Sequence, residues 1–252
     1  LVCYAAAPWL LGAFGRLVGT APFVPAGRRG GSFRHRVVAL GLLVALVAAF
    51  VPFVVAVVAL VAFGLLVGAL VAGDGRGIAA LVAGTVGAVV LAFGLHLPWS
   101  LSFLRDGASW ATFSTAGSTK GGSFDATDLV RFHTGPFGGR AWSYAILAVP
   151  AFALLLARGV RLAWAIRGWF VALACWALVW SAEQGWLPRA LPEPGVVLAP
   201  AAAGLALAAA LGVAAFEVDL RRHRFGWRQF APFAAVAAFA VLMLPFLAAS
   251  VD

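Results

Sequence analysis

Charge is scarce in this sequence. Only 11% of its 252 residues are Asp, Glu, Lys or Arg, and Lys120 is the single lysine among 18 basic residues. The two cysteines, Cys3 and Cys175, lie in apolar segments without a CxxC pair, so they suggest neither a disulfide framework nor a zinc site. No charged leader or cleavage site opens the chain, which begins inside the apolar run LVCYAAAPWLLGAF and reads as a fragment of a longer protein. No strand-like alternation of apolar and polar residues is present, and this argues against a barrel. A phosphate loop is missing too. In GSTKGGS, Lys120 precedes Gly121 instead of following a second glycine, so a surface turn is the better reading. Neither a metal nor a cofactor is expected.

What the sequence does have is apolar residues, at 63%, with a mean hydropathy of +1.01. A soluble domain does not reach such values. Crossing about 30 Å of hydrocarbon takes roughly 20 apolar residues as a helix. Runs approaching or exceeding that length fall at 1–14, 37–72, 78–98, 141–157, 162–182, 196–215 and 231–250. The expected fold is an all-α, polytopic transmembrane bundle, a single domain over 1–252. The run 37–72 is too long for one crossing, because a helix of that length would extend about 54 Å. Pro52 lies near its middle. A hairpin turning at Val51-Pro52-Phe53 gives about eight spans, the first cut short; a single kinked helix is the competing reading.

Arginine decides between sides. The segments GRRGGSFRHR (27–36), ARGVRLAWAIR (157–167) and EVDLRRHRFGWR (217–228) concentrate it, whereas acids nearly cancel or outnumber bases in 99–140 and 183–195. Cytoplasmic loops collect Arg and Lys, so the first group is read as inside and the second as outside. The net charge of +9 is then a topology signal, and nucleic acid is not an expected partner. Trp99, Trp110, Trp142, Trp180 and Trp186 fall near outer boundaries, with Trp164, Trp169 and Trp227 near inner ones, as interfacial anchors. Arg161 and Arg167 flank Trp164 and are read as snorkelling to headgroups. The arrangement predicts a multi-pass membrane protein.

Few polar groups remain to carry chemistry. In SFDATDLVRFHTGP (123–136), Asp125 caps a short surface helix within the external 99–140 loop, and Gly135-Pro136 stops it. Asp128, Arg131 and His133 are read either as solvated residues or as the lining of an outward cavity. There Arg131 would hold a phosphate, and a carboxylate or imidazole would take a proton. His96, in GLHLPWS, is either a boundary histidine bonded to backbone or a proton relay. Arg221, Arg222 and Arg224, in RRHRFGWRQF, are candidates for anionic lipid headgroups.

Six segments occur in a suggestive order: RHRVVALGLLVALVAAFVP, LHLPWSL, DLVRFHTGPFG, ARGVRLAWAIRGW, and GWLP with FEVDLRRHRFGWRQF. Together they span most of 34–230, and their order resembles the membrane region of large actinobacterial glycosyltransferases of cell-envelope assembly. The resemblance implies sugar transfer to an envelope acceptor, with membrane lipids and a polyprenyl-phosphate-linked sugar as partners. It supplies no catalytic residue, because DATD departs from the DxD spacing of such enzymes. A transporter or flippase of an envelope precursor, or a non-catalytic membrane subunit, is the alternative.

Overall fold

The computed structural model describes residues 1–19, 31–104, 126–132, 141–184, 186 and 194–219. Every regular element among these is helical: α1 Val2–Val18, α2 Phe33–Ala48, α3 Val54–Val71, α4 Ile78–Leu95, α5 Ala126–Val130, α6 Ala148–Leu156, α7 Val160–Glu183 and α8 Pro194–Asp219. Two 3-10 turns, Trp99–Leu104 and Ala141–Leu147, complete the set.

The long apolar run 37–72 is two helices. Pro52 has no N–H to extend a helical ladder, and α2 ends at Ala48 with Phe50 and Val51 both donating back to the Val47 carbonyl. Arg36, in the first turn of α2, donates to the carbonyls of Arg16 and Leu17 at the end of α1. Val18 packs against Gly77 at the start of α4, and only residues 72–77 separate α3 from α4. The start of α2 and the end of α3 therefore lie at one end of the bundle, and the two helices run antiparallel.

Four helices, α3, α4, α7 and α8, are long and apolar enough to cross a membrane, and the chain is that of a membrane protein. Among the described residues the other helices expected as spans are shorter, so the expected count of eight is not confirmed. Helix α1 has 17 residues, α2 has 16 with Arg34 and Arg36 in its first turn, and α6 has nine. The last expected span, 231–250, lies outside the described residues.

Glycine sets how closely the helices pack. A side-chain carbon at Gly68 of α3 would lie 2.6 Å from the Arg167 Cα of α7, so only glycine lets the two backbones approach this near. Gly168 and Gly204 do the same for α7 against α8, where each would otherwise meet the other's carbonyl oxygen within 2.6 Å. The buried core runs through these contacts and includes Phe14, Leu40, Val44, Val58, Leu65, Trp164, Val171 and Leu211. Facing outward is a second apolar surface. On α4, Val82, Val86 and Val90 recur every fourth residue and are exposed, as are Phe63, Leu70 and Leu155 elsewhere. Such continuous apolar exposure suits hydrocarbon as the surrounding medium.

Candidate functional site

The close approach at Gly68 puts Arg167 beside the end of α3, and local backbone chemistry brings it a partner. Helix α3 closes in a Schellman turn. Gly73, with φ of 65°, takes the left-handed conformation, its N–H bonds to the Leu70 carbonyl, and the Asp74 N–H bonds to the Ala69 carbonyl at 3.0 Å. This turn fixes Asp74 under the bundle end. Arg167 Nη2 donates to Asp74 Oδ2 at 3.1 Å and to the Asp74 carbonyl at 3.2 Å. Arg76 Nε donates to the other carboxylate oxygen at 2.9 Å.

Arg167 is only 2% exposed, and Asp74 is 8% exposed. The Arg167 guanidinium also lies 4.9 Å from the Trp164 ring centroid, a cation–π contact with a ring that is itself buried. The expectation that Arg167 snorkels to headgroups is thereby corrected: two turns into α7 the side chain is enclosed by α3, and an ion pair is a nearer counter-charge than water. Trp164 is likewise no interfacial anchor, since it is 1% exposed within the core. The Asp74 carboxyl is held below the usual carboxylate range, mainly by the Arg76 hydrogen bond. Burial opposes that shift, and the Arg167 charge adds to it. One carboxylate against two guanidiniums leaves this cluster with a net charge of +1.

Beside the cluster runs a narrow crevice walled by Val18, Leu65, Ala69, Ile78, Leu81 and Trp164, with Arg76 and Arg167 on its polar side. It is partly open at the surface but has no room for a water-sized molecule. Among the described residues Arg167 Nη1 has no hydrogen-bond partner, although the atom is buried.

Arginines also mark this end as a whole. Arg16, Arg34, Arg36, Arg76, Arg158 and Arg161 all lie there, at the ends of α1 and α3 and the starts of α2, α4 and α7.

At the opposite end, α5 enters the bundle. Leu129 is 1% exposed, and the Phe132 ring lies 5.9 Å from that of Trp176, seven residues or about 10 Å inside the end of α7. The short helix expected on the surface thus inserts its apolar side between other elements, since burying Leu129 and Phe132 outweighs lying flat. Phe132 adopts φ of 56°, an uncommon conformation for a non-glycine residue, and ends the helix. Arg131, one turn after Asp128, donates from Nη2 to the Tyr144 hydroxyl at 2.7 Å and stacks 4.2 Å from that ring's centroid. Its Nε is buried and has no hydrogen-bond partner among the described residues.

His96 caps α4 at the same end. Its Nδ1 lies 2.8 Å from the Ala92 carbonyl, which can only accept, so Nδ1 carries the proton. Its ring lies 5.9 Å from that of Trp99. Of the other residues singled out in the sequence, His133, Asp125, Arg221, Arg222 and Arg224 lie outside the described residues. The described residues contain no cluster of three or more potential metal ligands.

Asp74 is not among the residues singled out from the sequence. Two signals pointed to it: an acid at the edge of an apolar span needs a partner, and a glycine one residue earlier suits a helix C-terminus.

No protein-family model matches the chain, and comparison with curated proteins and with solved structures gives no significant match. The likeness to glycosyltransferase membrane regions accordingly rests on the order of its segments alone.

Proposed function

We propose that this chain is the membrane-embedded part of a cell-envelope glycosyltransferase, and that it holds a lipid-linked phosphate substrate where α5 enters the bundle. In this reading the Arg-rich end faces the cytoplasm of a bacterial plasma membrane, in keeping with the positive-inside rule, and α5 faces outward. The observation that carries it is the fixation of Arg131. Hydrogen bonding and stacking on Tyr144 hold the guanidinium in place, and Leu129 and Phe132 anchor the backbone on either side. A cation immobilised in this way loses little freedom on meeting a phosphate, and a guanidinium offers that group paired donors. The surrounding apolar helices suit a polyprenyl chain.

Binding tests the idea directly. The chain in lipid nanodiscs should bind a polyprenyl phosphate at least tenfold more tightly than the parent polyprenol, a difference of about 1.4 kcal/mol. Arg131→Ala should reduce that preference. Equal affinity for the two lipids, or a preference untouched by Arg131→Ala, would exclude this site. Sugar incorporation by membranes carrying the full-length protein then separates transfer from carriage, because a flippase would move the lipid across vesicles without glycosylating an acceptor.

A further inference from the structure

We infer a second phosphate site at the Arg-rich end, in the crevice between α1, α3, α4 and α7, with Arg167 Nη1 and Arg76 as its donors. The ligand class is a phosphate group, and the apolar walls favour one carried on an aliphatic chain. Arg167 is 2% exposed and commits Nη2 to Asp74, while Nη1 is buried with no partner among the described residues. A buried charged donor without an acceptor is costly, and the crevice as it stands has no room for a water molecule to serve as one.

One wall is exposed to solvent. The Arg76 side chain is 73% exposed, and its side-chain hydrogen bond is to Asp74, so rotating it outward opens the crevice beside Arg167. The cluster's excess positive charge favours an anion there. So does the start of α4 at Gly77 and Ile78, which has no side-chain cap and points the positive end of an 18-residue helix at the crevice. Val18, Leu65, Ile78 and Leu81 then meet the first methylenes of an attached chain.

This site does not depend on the one at Arg131, which lies at the other end of the bundle. Titrating the Arg131→Ala chain in a neutral detergent with dodecyl phosphate therefore reads the crevice alone. Binding is expected, with dodecanol much weaker. In that background Arg76→Gln should weaken dodecyl phosphate about tenfold. Asp74→Asn should tighten it, because Arg167 is then released from its internal counter-charge. Opposite signs for these two variants are not expected of a merely structural cluster.

Inorganic phosphate distinguishes the source. Competition by millimolar inorganic phosphate assigns the site to the free anion; retention of dodecyl phosphate under the same conditions assigns it to an amphiphile. Both outcomes support a phosphate site. Equal binding of dodecyl phosphate and dodecanol, or an affinity unchanged by Arg76→Gln, overturns it.

Discussion

Asp74 and Arg167, 93 residues apart in sequence, form a 3.1 Å ion pair that ties the α3–α4 turn to α7 at one end of the bundle. The pair is buried, so its value depends on both members being present. Breaking such a pair leaves an uncompensated charge and typically costs about 3–5 kcal/mol, whereas replacing both members by apolar residues of similar size is often close to neutral. Asp74→Leu and Arg167→Leu are each expected to lower stability by roughly that amount. The double variant should recover most of the loss. Unfolding in mixed micelles, read as a double-mutant cycle, gives the coupling; additive losses would mean that the two charges do not stabilise each other.

The same pair predicts a pH dependence. The Asp74 carboxyl is lowered in the folded chain, so it binds a proton more readily when unfolded. Its contribution is complete above the ordinary aspartate value of about 3.9 and is lost as pH falls through the folded value. Wild type and Asp74→Asn should therefore differ in stability at pH 6 and converge as the pH drops below about 4. A gap that widens on acidification would show the sign to be wrong.

Helix proximity gives a third test. A methyl group at Gly68 would lie 2.6 Å from the Arg167 Cα, whereas one at Gly12 of α1 would meet nothing within 4 Å. Gly68→Ala should therefore cost about 1–3 kcal/mol through overpacking and displace Arg167 from Asp74. Gly12→Ala should be neutral or stabilise by up to about 1 kcal/mol, because alanine is the better helix former. Equal effects of the two changes would refute the close crossing of α3 and α7.

Orientation is open to labelling. Cysteines placed at Arg34 and Arg158 should react with an impermeant maleimide only from the cytoplasmic side, and one at Trp186, which is 67% exposed, only from outside. The native Cys3 and Cys175 are buried and should contribute little background. If positions 34 and 186 are labelled from the same side, the arrangement of the bundle is wrong.

Tyr144 offers a graded test of the outer site. Tyr144→Phe removes the 2.7 Å hydrogen bond to Arg131 but keeps the ring beneath the guanidinium. It should weaken polyprenyl phosphate binding severalfold, less than Arg131→Ala, since the hydrogen bond only orients the guanidinium, while its charge and the stack persist. An effect larger than that of Arg131→Ala would point to Tyr144, not Arg131, as the group that meets the ligand.

Much of the architecture could be read from composition because the bilayer allows so few solutions. Without water, backbone groups must be satisfied within a helix or a closed barrel, and the lack of alternation left the helix. The arginine clusters located the ends of the helices, and Pro52 marked a break because it cannot donate to the ladder. Arg131 stood out by its place in a short polar helix. What composition did not reveal was depth. Leu129 and Phe132 look like the apolar side of a surface helix, and only their contacts show them inserted.

The sequence by itself determined the solvent, the helical class and the arginine-rich end, because hydropathy and charge act locally and each residue carries its own share. Only the tertiary structure decided which charges are buried. Arg167 is chemically the same as the arginines of the exposed loops, yet it faces Gly68 and the turn that fixes Asp74. Whether an arginine reaches water or a carboxylate depends on what the neighbouring helix places against it, and that neighbour is set by backbone approach across nearly a hundred residues of chain.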